Sequence, residues 1–164
     1  GHLGVCKFLR NDGVTKLRPW DTPQEMDEAM IKLWNARVRP KDRVYHLGDV
    51  VINRKALQIL DRLNGRKILI KGNHDIFSLE DYYPRFRDIR GYHVLNGMIL
   101  SHVPVHTDSI ERFGTNIHGH LHSNLVMNGS VPDTRYLNVC VEHHDFRPVL
   151  MYDMFARLKE LNSI

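Results

Sequence analysis

Ile70-Lys71-Gly72-Asn73-His74-Asp75 is the end of an apolar run that stops at a glycine and is followed at once by an amide, an imidazole and a carboxylate. The run itself, Lys67-Ile68-Leu69-Ile70-Lys71, has the length and composition of a buried strand. In open α/β sheets, chemistry sits at the carboxyl ends of such strands. Taken alone, the same residues are also ordinary turn chemistry. Their company tips the balance. Upstream, Val44-Tyr45-His46-Leu47-Gly48-Asp49 is a second apolar run ending in Gly-Asp; downstream stand Leu100-Ser101-His102 and Ile117-His118-Gly119-His120-Leu121-His122. Four hydrophobic runs each deliver Asp, Asn or His at the same end.

Between the first two runs, Ala56, Leu57, Ile59, Leu60 and Leu63 recur at helical spacing, and Asn64-Gly65 supplies a C-terminal stop. Strand, helix and strand at this spacing make a βαβ unit with parallel pairing and a right-handed crossover. Asp49 and Asn73 then emerge at one sheet edge. Before this unit, Thr22 and Glu25 are spaced as a capping box with Pro23 at the first helical position. Met26, Ala29, Met30, Leu33 and Trp34 form the apolar face of that helix, which ends before Pro40.

Leu79 to Phe86 fits a short helix or an ordered loop equally well. Asn96-Gly97, between Tyr92 to Leu95 and Met98 to Ser101, signals a two-residue hairpin turn and puts His102 just past its second strand. A helical turn is expected over Thr107 to Phe113 and a loop over Gly129 to Asp133. Strands are expected over Thr115 to His118, Tyr136 to Glu142 and Pro148 to Tyr152, and helical spacing over Asp153 to Leu161.

The 164 residues fit a single domain spanning 1–164, since a chain of roughly this size buries about 70% of its unfolded surface. Lys and Arg number 23 against 19 Asp and Glu, a net +4. That excess is compatible with an anionic substrate, but the absence of a run of like charges gives no nucleic-acid signature. Cys6 and Cys140 are far apart and form no C-x-x-C motif, which points to a reducing compartment and a cytoplasmic location. No apolar run reaches the roughly 18 residues of a membrane helix.

Asp49, Asn73, His102, His120 and His122 are a mixed oxygen and nitrogen set suited to divalent first-row metals. Singly each has a bland reading: Asp49 a turn residue, His102 a strand-end histidine, His120 and His122 a surface cluster. In an extended segment His120 and His122 would face the same way and reach neighbouring ions, whereas a turn between them would splay them. A carboxylate such as Asp49 can bridge two ions, and such a pair clamps the attacking and leaving oxygens of an in-line phosphoryl displacement. His74, left over once Asn73 takes a metal, is placed to protonate the leaving oxygen. Asp75 would orient and charge-stabilise that imidazole.

Gly48-Asp49, Gly72-Asn73-His74-Asp75, His102 and Gly119-His120-Leu121-His122, in this order, resemble the calcineurin-like metallophosphoesterases, above all their small single-domain bacterial and phage members. Glu25-Met26, Trp34-Asn35, Leu63-Asn64-Gly65 and Arg135-Tyr136-Leu137-Asn138-Val139 extend the likeness over nearly the whole chain. The resemblance implies an α/β fold, a four-layer αββα sandwich of two mixed sheets flanked by helices, with a dimetal site at the strand ends. It further implies that Asp49 bridges, that Asn73, His102 and His120 complete one metal and that His122 serves the other. His74 and Asp75 would act on the leaving group. The activity implied is hydrolysis of phosphoester bonds by a metal-bound hydroxide with His74 as general acid, phosphodiesters before monoesters. Two divalent ions are required, manganese first, with iron, zinc, nickel or magnesium admitted by the same donors.

One departure accompanies the likeness. The family opens with a strand ending in D-x-H-x-G-H, and Gly1-His2 fits its closing G-H, so the first strand with two ligands is expected to be missing from this sequence. In another register His2 is the His of D-x-H, and in a third Gly1-His2 is a cloning remnant. His2, His106 and His118 are candidate contacts for a substrate phosphate. His46 is expected as a hydrogen-bonded core residue in a strand, and His93, His143 and His144 at the surface or strand edges. Two other classes compete with the enzyme: a scaffold of the same fold that binds a protein partner without chemistry, and a basic nucleic-acid module. A nuclease acting on DNA or RNA falls within the enzymatic reading, whose partner is a phosphoester substrate such as a nucleotide or nucleic acid.

Overall fold

The computed structural model describes residues 5–10 and 12–161, except for the side chains of 5 and 157–161. His2 lies outside the described residues. Helix α1, Pro23–Arg37, starts on the expected capping box: Thr22 Oγ1 accepts from Glu25 N at 3.2 Å, and Glu25 Oε2 accepts from Thr22 N at 3.4 Å. The helix buries Met26 and Ile31. Its far end is fixed by polar contacts, with Trp34 Nε1 donating to Asn64 O and Asn35 bonding both Arg62 O and Asn64 N, each at 2.9 Å.

Strand β1, Arg43–His46, pairs in parallel with β2, Arg66–Ile70, as the βαβ reading requires. The crossover is a nine-residue 3₁₀ helix, Arg54–Arg62, and not an α-helix. Residues three apart eclipse in that geometry, so Leu57 and Leu60 form one ridge, and both are buried with Ala56. Helix α2 is one short turn, Leu79–Tyr82. It leads to β3, Asp88–Arg90, a strand that no sequence pattern announced and that extends the first sheet to β1-β2-β3. That sheet is parallel throughout its described strands, where a mixed one was expected.

The second sheet is mixed. Strands β4, Tyr92–Leu95, and β5, Met98–Ser101, form the Asn96-Gly97 hairpin, with φ of 50° and 82° at the two turn residues as a primed turn demands. After α3, Thr107–Phe113, comes β6, Asn116–His118, parallel to β5. The loop expected at 129–133 is instead part of a ribbon, β7 Met127–Asn128 with β8 Val131–Pro132. Strand β9 is only Tyr136–Asn138, completing the order β4-β5-β6-β9. It stops early because Asn138 Oδ1 accepts from Cys140 N at 2.9 Å and turns the chain into a 3₁₀ segment at Val141–His143. No strand forms over 148–152 either: helix α4 begins at Met151 and runs to Leu161.

Of the three apolar clusters among the described residues, two involve the sheets. Leu69 of β2 meets Ala56, Leu57 and Leu60 of the crossover and Tyr82 and Phe86. Leu100, Ile117 and Leu137, in register across the second sheet, pack with Tyr45 and Leu47 from the first and with Met154 of α4. The sheets therefore share a core, and the molecule is α/β. Among the described residues no helix is long and apolar enough to cross a membrane.

Candidate metal centre

The loops leaving β1 and β2 touch at two glycines. Gly48 has φ +85°, and a Cβ there would lie 2.6 Å from both Gly72 N and His102 Nδ1. A Cβ on Gly72 would collide with Asp49 in turn. Beneath the crossing sits Asp75, 1% exposed. Its carboxylate accepts from Asp49 N and Gly72 N at 2.8 Å and from Val50 N at 2.9 Å. Asp75 therefore ties the two loops together, which corrects the expectation that it orients His74: three backbone donors already engage its buried oxygens.

His102 arrives from the end of β5 and is 5% exposed. With Nδ1 donating to Leu47 O at 2.7 Å, Nε2 presents a lone pair. That lone pair meets Asn73 Oδ1 at 2.9 Å, His120 Nδ1 at 3.2 Å and Asp49 Oδ2 at 3.3 Å. Four acceptor atoms thus converge on one point. Adjacent ligands bound at about 2.0–2.2 Å around one cation lie roughly 3 Å apart, so the spacing is that of a coordination shell. Asp49, His102 and His120 form a group able to hold an ion.

The electrostatics agree. Burial pushes the Asp49 carboxyl up, but its contact with the His102 ring and the hydrogen bond from the His74 N–H outweigh it and hold the group below its ordinary value. Burial pushes His102 down, and its bonds to Asp49 and Leu47 O reverse that and hold it above the usual range. His120 is lowered by burial and by His102.

Asp49, His120 and His122 all have positive φ, 53°, 67° and 50°. Left-handed conformations at non-glycine residues are uncommon and concentrate at functional sites. They also select the splaying turn over the extended path at His120-Leu121-His122. Only His120 joins the cluster; His122 Nδ1 lies 3.1 Å from Glu142 Oε1.

Of the other expected residues, His74 is exposed, and its backbone N–H donates to Asp49 Oδ1 at 2.8 Å. His118 is fully buried, bonds Gly119 O through Nδ1 at 2.8 Å and is closed to substrate. A small β6 strand with Ile117 on the shared core turns His118 to the opposite, covered face, where it stands beside Tyr136. His106 caps α3 by accepting from Asp108 N at 3.3 Å. His46 is half-buried and stacks on Trp34 with ring centroids 6.1 Å apart, but its Nδ1 has no hydrogen-bond partner among the described residues, where a hydrogen-bonded core histidine was expected. Sequence reasoning missed Glu142 and Arg18, which lie in segments without a motif and meet across 124 positions.

No protein-family model matches the chain. In an alignment of 171 positions the chain is 35% identical to the uncharacterized protein MJ1445 of Methanocaldococcus jannaschii, covering 99% of this chain and 88% of that one. The crystal structure of a protein of unknown function from Aquifex aeolicus, AQ665, aligns with a TM-score of 0.68 over 92% of this chain and 95% of its own, at 24% identity. That likeness concerns the fold alone.

Proposed function

This chain belongs to the family of the Methanocaldococcus jannaschii protein MJ1445, and we propose that it is a metal-dependent phosphoesterase of the calcineurin-like type. The observation that carries the reading is the convergence of the Asp49, Asn73, His102 and His120 acceptor atoms, with separations of 2.9–3.3 Å about His102 Nε2. Such a donor set fits a divalent cation of the first row, manganese before iron, zinc, nickel or magnesium. Asp49, Asn73, His102 and His120 would hold one such ion, and His122 with Asp49 would serve a second. When bound, the ions polarise the phosphoryl group and lower the pKa of water.

The chain's own residues do the rest. Asp75 and the Gly48–Gly72 contact fix the two ligand loops in advance, so the site needs little reorganisation on loading. His74, exposed beside Asp49, donates a proton to the leaving oxygen. The net +4 charge suits an anionic substrate, and phosphodiesters, including nucleotides or nucleic acid, are preferred to monoesters. The sheets that share the Tyr45, Leu47, Leu100 and Ile117 core are the inner layers of an αββα sandwich. Two free thiols, Cys6 and Cys140, suit the reducing cytoplasm.

The deciding assay is hydrolysis of bis(p-nitrophenyl) phosphate by manganese-loaded protein, before and after chelation, beside Asp49→Asn. The expected result is turnover that chelator abolishes, manganese restores and the variant lacks. Protein that retains manganese but hydrolyses neither this diester nor p-nitrophenyl phosphate with any of the five metals overturns the reading.

A further inference from the structure

Outside the cluster, Glu142 is a buried carboxylate with no part in the scheme above. The Glu142 side chain is 1% exposed, and one of its two oxygens, Oε1, is within hydrogen-bond reach of Arg18 Nε at 3.1 Å, Arg18 Nη2 at 3.0 Å and His122 Nδ1 at 3.1 Å. Arg18 is itself largely buried, 15% exposed, and its Nη1 rests on Met26 Sδ of α1 at 3.4 Å. Asn138 closes the arrangement from below, donating to the backbone carbonyls of His122 and Asn124 at 3.0 and 2.8 Å. A buried carboxylate held by a guanidinium is fixed in place and stays ionised, so it accepts a hydrogen bond from an imidazole and does not donate one. The histidine edge facing it must carry hydrogen.

We infer that Glu142, held by Arg18, is a positioning residue for His122: it fixes that ring as the Nδ1–H tautomer and leaves the Nε2 lone pair for a divalent cation. This rests on the reading of His122 as a ligand. The left-handed φ of 50° at His122 fits the same role, because the backbone is turned away from an extended path and the ring reaches Glu142 rather than the His102 cluster. Carboxylates behind metal-binding histidines orient the ring and raise its basicity, and their loss typically weakens metal affinity about 10–100-fold.

The test is ¹⁵N NMR of the histidine rings in the metal-free wild type, Glu142→Gln and Glu142→Leu, each then titrated with Zn²⁺. The expected wild-type spectrum shows His122 protonated at Nδ1. Glu142→Gln, which keeps an acceptor oxygen at the same place, keeps the tautomer; Glu142→Leu loses it, and the zinc affinity read at His122 falls about 10–100-fold. A role confined to the Arg18 ion pair would affect both variants alike, and that result overturns the inference. So does a wild-type His122 protonated at Nε2, which is decided without any variant should Glu142→Leu not fold. Zinc that shifts His102 and His120 but not His122 overturns it as well. Zinc that shifts none of the three in the wild type brings down the proposed function instead.

Discussion

Asp75 Oδ2 accepts a hydrogen bond from the backbone N–H of Asp49 at 2.8 Å, so the carboxylate that follows one ligand loop holds the other in place. The same oxygen takes the Gly72 N–H and its twin takes Val50 N–H. Removing the carboxylate would leave these donors unsatisfied beneath the crossing. Asp75→Ala is expected to cost about 3–5 kcal/mol of stability, measured by urea denaturation of metal-free protein, and to abolish metal retention with it. A variant of full stability and intact metal binding would show that Asp75 does not clamp the loops.

Gly48 and Gly97 both have positive φ, at +85° and +82°, but only Gly48 is crowded, with Gly72 and His102 where a Cβ would go. Backbone strain alone costs roughly 1 kcal/mol, whereas forced overpacking adds about 1–3 more. Gly97→Ala should therefore lower stability slightly and leave metal binding intact. Gly48→Ala should lower it further and weaken metal binding, because the His102 ring and the Gly72 backbone must shift. Equal effects in the two variants, by thermal melting and metal titration, would mean that the loops can separate freely.

The sequence made the frame legible where local chemistry and tertiary packing agree. The Thr22 to Glu25 capping box, the Asn96-Gly97 turn and the parallel pairing of β1 with β2 are all found where residue types alone put them. Asp49, Asn73, His102 and His120 meet because strand ends are where a parallel sheet delivers its loops. What stayed hidden depends on contacts between distant segments. Asp88–Arg90 is too short to show alternation and is a strand only because Ile68, Leu69 and Ile70 offer it an edge. The crossover shows the right apolar residues, yet spacing does not separate an α-helix from a 3₁₀ ridge at Leu57 and Leu60. His122 departs from His120 because Glu142, twenty positions later, captures its ring, and no local pattern encodes that.

Glu142 predicts a pH dependence of stability. Burial pushes its carboxyl up, but the bond from His122 and the charge of Arg18 outweigh that and bring it from the ordinary 4.5 to about 2. A group lowered on folding stabilises above its unfolded value, and the contribution fades as pH falls through 4.5 toward 2. At about 1.4 kcal/mol per pH unit the effect is on the order of 3 kcal/mol. The stability difference between wild type and Glu142→Gln should thus be largest at pH 6–7 and shrink steadily toward about pH 3. A difference independent of pH would mean that the ionised carboxylate is not what the fold prefers there.

His106 and His118 separate surface from core among the remaining histidines. His106→Ala removes only a helix cap and should cost about 0.5–1 kcal/mol, with catalysis unchanged. Burial lowers the His118 imidazole from its ordinary value, and its ring is fully buried beside Tyr136. His118→Ala should therefore cost about 2–4 kcal/mol through the cavity left beside the Tyr136 ring. Diester turnover and urea midpoints measure both; a loss of turnover in His106→Ala at full stability would return that residue to the substrate site.

His74 reaches Asp49 through its backbone N–H, not its ring, so His74→Ala should keep its metal content. What it loses is a proton donor, worth about 10²–10⁴-fold in turnover when the leaving group is a poor one. A nitrophenolate leaves without protonation, so its release should suffer much less than that of an alkoxide such as a ribose oxygen. Comparing the two substrate classes at equal metal occupancy isolates this role. A uniform loss across leaving groups would assign His74 to substrate binding, and an unchanged rate with both would remove it from the reaction.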